Sequence, residues 1–137
     1  MSIAATVSAR PPIILGATDA ERLSALALQA EQSLPLAAGL LLDELDRAEV
    51  RPDKLMPSNV VRIGSFVDFI DEAHDQPRTV QLVYPAEADI EAGRISVLTP
   101  VGAGLIGLSP GQAILWPDRD GHQRTLRILA VRPPEGG

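Results

Sequence analysis

At Val60 the hydrophobic period of this chain changes from 3.6 residues to 2, so helices and strands must be segregated along the sequence. Before that point Leu23, Leu26, Ala27 and Ala30 recur at i, i+3, i+4 and i+7, an apolar stripe on a helix of about 12 residues. Thr18-Asp19-Ala20-Glu21 reads as a capping box that opens this helix, the Thr18 hydroxyl accepting from the Glu21 amide. Ser33-Leu34-Pro35 opens a second helix with the proline ring in its first turn, and Ala37, Leu40, Leu41, Leu45 and Ala48 carry the same period onward. The few residues between them predict an antiparallel helical hairpin. Leu36 and Leu42 widen the apolar side of the second helix beyond a two-helix seam, so something else is expected to cover them. Pro52 disfavours helical backbone at Arg51, which places the helix end near Val50 and a Pro-containing linker over residues 51–59.

Beyond Val60 short alternating runs predict strands, with Val67 and Phe69 on one face of the first and Val80, Leu82 and Tyr84 on one face of the second. Ile95 with Val97, and Leu126 with Ile128 and Ala130, repeat the pattern. Asp118-Arg119-Asp120-Gly121 and Ser109-Pro110-Gly111 are turn signals, and together these features predict an antiparallel sheet. Thr99-Pro100 interrupts the β pattern, capping a short helix that runs through Leu105 and ends at a left-handed Gly107. The fold class is therefore α+β. Residues 1–54 hold an N-terminal tail, the short hairpin and the start of the linker, and residues 55–137 hold a sheet domain with one short helix.

Composition narrows the function classes. A net charge of −6 opposes binding to nucleic acid through phosphate neutralisation, so no direct sequence-specific nucleic-acid contact is expected. Two Phe, one Tyr and one Trp are too few for a base-stacking platform or an aromatic-lined pocket. Cysteine is absent and only two histidines occur, so neither a metal nor another cofactor is expected. The apolar run at residues 36–42 is far short of the roughly 20 residues a bilayer span requires. Arg10 follows the first apolar residues instead of preceding them, the reverse of a signal peptide, which makes a cytoplasmic protein the expectation. Composition points to a protein partner, and a monomer is expected.

Three clusters carry candidate chemistry. Asp71-Glu72-Ala73-His74-Asp75 gathers three carboxylates and an imidazole, a composition equally suited to a solvated hairpin tip. Glu87, Asp89 and Glu91 fit turn capping. Arg119, Arg124, Arg127 and Arg132 make the C-terminal third locally cationic, either as a contact patch or as long side chains covering sheet edges. Gly102-Ala103-Gly104 lacks the lysine and the preceding context of a phosphate loop, and no triad of Ser, His and carboxylate can be assembled. The sequence carries no signature of catalysis.

The run from Ile95 through Ser96, Val97, Leu98, Thr99, Pro100, Val101, Gly102, Ala103, Gly104, Leu105 and Ile106 to Gly107, with Gly111 following, resembles the C-terminal domain of the bacterial transcript-cleavage factors GreA and GreB. Ile63-Gly64-Ser65, Val67, Ala88-Asp89 and Gly93 extend the likeness. In the N-terminal half Asp19-Ala20-Glu21-Arg22-Leu23, Leu34-Pro35, Glu44-Leu45-Asp46-Arg47-Ala48, Met56-Pro57 and Val60-Val61 resemble the related nucleoside diphosphate kinase regulators, whose coiled-coil hairpin is shortened. That resemblance implies an FKBP-like sheet domain and a non-enzymatic transcription regulator that binds RNA polymerase near its secondary channel. It also implies competition with Gre-type cleavage factors without stimulation of cleavage.

By the same resemblance Leu98, Thr99, Pro100 and Val101 are the partner-binding positions, and Gln29, Glu31 and Gln32 form the hairpin tip. Glu31 is the only carboxylate at residues 29–33, where the cleavage factors place an acidic pair. Leu98 stands where related sequences tend to carry an acid, and Gln112 replaces the usual Asp. Alternatives of other classes are an interaction module for another protein, or an FKBP-like prolyl isomerase, which the scarcity of aromatics opposes.

Overall fold

In the computed structural model, described for residues 11–72, 76–117 and 122–134, helices precede a curled sheet. Strand β1 (Ile14–Gly16) leads into helix α1 (Ala17–Ala30), which turns into α2 (Pro35–Arg47) and strand β2 (Glu49–Arg51). The sheet domain then runs β3 (Phe66–Asp71), β4 (Gln76–Val83), β5 (Arg94–Ser96), α3 (Pro100–Leu105), β6 (Ala113–Pro117) and β7 (Gln123–Arg132). Among the described residues no helix is long and apolar enough to cross a membrane.

The hairpin forms as its periodicity requires, with Leu23, Ala27 and Ala30 of α1 buried against Ala37, Ala38, Leu40 and Leu41 of α2. Two expectations need correction. The capping box does not form: Gly16 is the N-cap and Thr18 lies inside the first turn. A carboxylate from the linker takes over the capping role, Asp53 accepting from the Thr18 amide at 3.0 Å and from its hydroxyl. A long-range acid at the helix N-terminus satisfies an orphan amide and meets the positive end of the helix dipole. The second helix also ends three residues early, because residues 49–51 pair in parallel with 14–16. Their extended backbone recovers hydrogen bonds that a fraying last turn would lose.

The five-stranded sheet has the order β5-β4-β3-β7-β6. Pairs β3–β4, β3–β7 and β6–β7 are antiparallel as expected, but β4 and β5 run parallel, so the sheet is mixed. The connection between them passes through two short 3-10 turns, Pro85–Glu87 and Ile90–Ala92, which reverse the chain direction and bring β5 back beside β4. Strand β6 carries Ile114 and Trp116 on its buried side, with Leu115 outward. An apolar residue on each face hides the alternation in the sequence, so periodicity does not predict this strand. The Asp118–Gly121 turn signal lies outside the described residues.

Helix α3 matches its expected bounds and packs closer than any side chain would allow. The Thr99 hydroxyl accepts from the Gly102 amide at 3.0 Å and donates to the Ser96 carbonyl at 2.7 Å. A Cβ on Gly102 would lie 2.1 Å from the Ser96 carbonyl oxygen and 2.9 Å from the Val97 Cα, both backbone atoms with no freedom to retreat. One on Gly104 would meet the Trp116 ring at 2.9 Å, and the Trp116 indole N–H donates to the Pro100 carbonyl. Gly107 then adopts φ +81° and its carbonyl accepts from Ile14 at 3.2 Å, while its own amide donates to Val61 at 2.9 Å. The helical part and the sheet part consequently share one buried cluster that does not divide at residue 54, running from Ile13, Leu15, Leu23 and Leu41 to Val67, Phe69, Leu105 and Ile128.

A buried ion pair lies where the hairpin returns to the sheet domain. Glu44 is fully buried on α2 and accepts two bonds from Arg47, at 2.9 and 2.6 Å, and Arg47 also donates to the Pro11 carbonyl at 2.6 Å. Such a pair lends little net stability over an apolar substitute, yet removing one partner alone is strongly destabilising.

Gly102→Ala is expected to destabilise the fold by about 3 kcal/mol or more, because the added methyl would overlap backbone. Gly39→Ala should do the opposite by up to about 1 kcal/mol, since a Cβ there meets nothing within 4 Å on the α2 surface. Thermal melts of the two variants read both signs. A second expectation concerns pH. Hydrogen bonds from the Thr18 hydroxyl and amide hold Asp53 below the ordinary aspartate value of 3.8, and Arg132 with Thr79 does the same for Asp68. Depressed folded-state values mean that this stabilisation is present above about pH 4 and is lost as pH falls through the lowered values. Asp53→Asn should therefore flatten the fall in melting temperature between pH 4 and 2, and an unchanged slope would show that the α1 cap is not ionic.

Candidate functional site

The candidate partner-binding positions lie on the turn between β5 and α3. The Ser96 hydroxyl accepts from the Leu98 amide at 2.9 Å, and the two Thr99 hydrogen bonds lock the next corner. Proline follows at the first helical position, where its missing N–H costs nothing. The result is a rigid ridge. Thr99, Pro100 and Val101 are half-buried along it, whereas Leu98 is only 6% exposed and belongs to the core cluster. Leu98 thus forms a floor beneath the ridge and does not project from it.

A groove opens on each side. The first, of about 580 Å³, is lined by Ser33, Leu34, Pro35, Leu36 and Ala37 from the start of α2 and by Ser96, Leu98, Thr99 and Pro100 from the ridge, with Pro85. Among the described residues no charged side chain lines it. Leu34 and Leu36 remain 45% and 47% exposed, so the expectation that another element covers Leu36 does not hold, whereas Leu42 packs on the core. The second groove, of about 270 Å³, is bounded by Thr99, Pro100 and Val101 on one side and by Ala88, Ile90 and Ile95 on the other, over Phe69 and Val80, with Arg78 and Arg94 at its edge.

The tip residues do not line the first groove themselves, but the chain enters it directly after them, at Ser33. Gln29, Glu31 and Gln32 are exposed, α1 ends at Ala30, and the turn is held by the Leu34 amide donating to the Ala30 carbonyl at 2.8 Å. Two sets of residues about 65 positions apart, the α2 start and the ridge, therefore line one surface. Sequence periodicity had no means of finding this, because the α2 start belongs to the helical pattern and the ridge to the β pattern. The same applies to Arg78 and Arg94, which no motif singled out.

Other candidate clusters have structural partners. Asp71 and Glu72 accept from Arg124 and Arg127 at 2.9 Å each, while Ala73, His74 and Asp75 lie outside the described residues. Arg132 pairs with Asp68 at 2.8 Å. Arg127 and Arg132 thus neutralise carboxylates on the outer side of the sheet, Arg124 pairs with Asp71 at the sheet end on the core side, and Arg119 lies outside the described residues. Asp89 caps the 3-10 turn at Ile90–Ala92, accepting from the Ala92 amide. Gln112, standing in place of an acid, accepts from the Ser109 amide at 2.8 Å and donates to the Pro12 carbonyl at 3.0 Å, a second bond that a carboxylate could not make. Among the described residues no group of three or more His, Asp or Glu is arranged to hold a metal ion.

Comparison with known proteins fits this architecture. Residues 56–133 match the family described as "Transcription elongation factor, GreA/GreB, C-term", and residues 11–50 match "Rnk N-terminus". Over 123 residues the chain is 39% identical to the regulator of nucleoside diphosphate kinase of Escherichia coli K12, covering 89% of this chain and 90% of that protein. It is 42% identical over 88 residues to transcription elongation factor GreA of Acidiphilium cryptum, covering 64% of this chain and 55% of the other. A solved prokaryotic transcription elongation factor GreA/GreB from Nitrosomonas europaea superposes with a TM-score of 0.69 at 37% identity, covering 90% of this chain and 99% of that one. Both halves, and the ridge that joins their surfaces, place the chain in the family of nucleoside diphosphate kinase regulators, in which an Rnk-type N-terminal segment precedes a GreA/GreB C-terminal domain.

Proposed function

We propose that this protein is a non-enzymatic transcription regulator of the bacterial cytoplasm that binds RNA polymerase near the secondary channel, as a monomer. On this reading residues 55–137, an FKBP-like domain, present the Thr99–Val101 ridge over its Leu98 floor to the polymerase, and residues 1–54 lay the hairpin beside it. It competes with Gre-type cleavage factors for that surface and does not stimulate cleavage itself. The observation that carries the reading is the position of the start of α2, just after the tip, whose residues Ser33–Ala37 line the same groove as the ridge.

Helices of 14 and 13 residues measure about 20 Å at 1.5 Å per residue, and the α1–α2 seam is buried against the sheet domain instead of projecting from it. A tip so placed is held at the docking surface and has little reach beyond it. Its chemistry is short as well, since Glu31 is the one carboxylate at residues 29–33 and a lone carboxylate is a poor holder of a catalytic divalent ion. Competition requires only a shared surface, and the match across residues 56–133 supplies the ground for one. The prolyl-isomerase alternative draws no support from the second groove, where Phe69 is the single aromatic residue.

In a transcript-cleavage assay with purified polymerase the protein alone is expected to leave backtracked transcripts intact, and at saturation to suppress cleavage stimulated by a Gre factor. Stimulated cleavage would overturn the mechanism, and unaffected Gre activity would overturn the shared site. Leu36→Asp separates docking from folding: the side chain is half exposed, so its melt should be preserved while polymerase affinity falls about ten-fold, the scale of a moderate interface anchor. Leu98→Asp, in contrast, buries an unpaired charge and should lose its cooperative melt.

A further inference from the structure

Among the described residues the five-stranded sheet leaves three stretches of strand backbone uncovered, and two of them are blunted. Strand β5, at one edge, is short and carries Arg94, a charge that opposes strand addition. Strand β4 extends past β5 over residues 76–80, since β5 pairs only with Gln81, Leu82 and Val83. The Gln81 amide donates to the Gly93 carbonyl at 2.8 Å, whereas the Leu82 amide donates to Ser65 on the opposite side at 3.0 Å. Odd-numbered residues of β4 therefore direct their N–H and C=O to the open side, and Pro77, at one of those positions, has no N–H to offer.

Strand β6, at the other edge, has no such device before its last residue. The Ile128 amide donates to the Gln112 carbonyl at 2.9 Å, so Gln112, Ile114 and Trp116 turn their backbone polar groups toward β7. Ala113 and Leu115 turn theirs away from the sheet, and among the described residues nothing pairs with them. The strand reads Ala-Ile-Leu-Trp-Pro, without a charge, and Leu115 is 37% exposed on its outer face. An uncharged edge of this kind is a template for one more strand.

The chain enters the described structure beside that edge. The Gln112 side chain donates to the Pro12 carbonyl at 3.0 Å, one residue before β6 begins. Residues 1–10 come before this anchor, outside the described residues and ahead of the family match that starts at residue 11. In their sequence Ile3, Ala5, Val7 and Ala9 alternate with Ser2, Ala4, Thr6 and Ser8, the period of a half-buried strand, with no charge or proline before Arg10. Eight extended residues span about 26 Å at roughly 3.3 Å each, and the five of β6 need about 17 Å.

We propose that residues 2–9 add to the free edge of β6 as a sixth strand, antiparallel to it. The direction follows from the anchor, because a chain arriving at Pro12 beside Gln112 passes β6 from its end to its start. In this register Ala9, Val7 and Ala5 stand opposite Ala113, Leu115 and Pro117. The backbone groups of Ala9 and Val7 bond the outward groups of Ala113 and Leu115, and the Val7 side chain covers Leu115. Pro11 and Pro12, which lack an N–H, end the ladder. Tethering gives the segment an effective concentration on the order of millimolar, which favours it over a second copy or a foreign peptide at the same edge. Its effect is to close an edge that would otherwise accept other chains.

Residue-resolved amide hydrogen exchange on the full-length chain tests this. The Ala113 and Leu115 amides are expected to exchange about ten-fold or more slowly relative to the variant Val7→Pro, which removes the N–H opposite Leu115. Thr6→Pro, whose N–H faces away from β6, should keep the protection, and both variants should melt as the unaltered chain does. Because the chain has no cysteine, Val7→Cys with Leu115→Cys supplies a second reading. Oxidation should link the two within one chain, since residues paired in this way lie about 5.5 Å apart at Cα, within the range of a disulfide. Fast exchange at Ala113 and Leu115 in the unaltered chain would overturn the proposal, as would protection that survives Val7→Pro. Protection that rises with protein concentration, or disulfides that form only between chains, would overturn it in favour of a second copy at the edge.

Discussion

The approach of α3 to the end of β5 is the constraint on which the remaining packing depends. Gly102 brings helix backbone against the Ser96 carbonyl, Gly104 seats the Trp116 ring, and Gly107 turns the chain so that its carbonyl receives Ile14. Each contact uses the space of a missing methyl, and each joins α3 to a different part of the molecule: the sheet edge, strand β6 and the N-terminal strand. Close-packed interiors transmit such displacements with little loss, so an added carbon here would shift the ridge, the hairpin and the far side of the sheet together.

Electrostatic interactions act at the seams between these parts, with unequal weight. The Arg47–Glu44 pair is buried and reaches the Pro11 carbonyl, so it fixes where the N-terminal strand enters. Asp53 fixes the start of α1 from the linker, and Arg62 reaches Asp19 at 3.1 Å from the opposite direction. These long-range bonds set the angle of the hairpin against the sheet. The pairs from β7 to β3 are open to water and contribute little stability each, but they remove the arginines of the C-terminal strand from any cationic patch.

What remains for a partner is a rigid corner between two grooves of unlike character. The Thr99–Pro100 ridge is locked by its own hydrogen bonds, so docking there loses little conformational entropy. On one side lies an uncharged groove lined by the start of α2, and on the other an apolar slot with Arg78 and Arg94 in its lining. A partner that fills both must offer matching faces at a fixed spacing. Specificity can arise in this way from a ridge whose own residues are small or half-buried.

Local chemistry along the chain determined the elements themselves. Periods of 3.6 and 2 separated the hairpin from the sheet, Pro35 and Thr99-Pro100 marked two helix starts, and Gly107 and Gly111 marked turns, since each depends on residues a few positions apart. The run from Ile95 to Gly107 was also enough to signal the GreA/GreB type of domain. Tertiary structure decided what needed partners distant in sequence. Asp53 displaced the Thr18 capping box because a carboxylate 35 residues away reaches the same amide. Pairing with β1 ended α2 early, and the turns at residues 85–92 let β5 join the sheet in parallel. Leu98, read from its position as a contact residue, became the floor of the site, and the start of α2 and the ridge came to line one groove. Periodicity records which face of an element is apolar; which element covers that face, and which charge finds a partner, is settled only when distant segments compete for the same buried space.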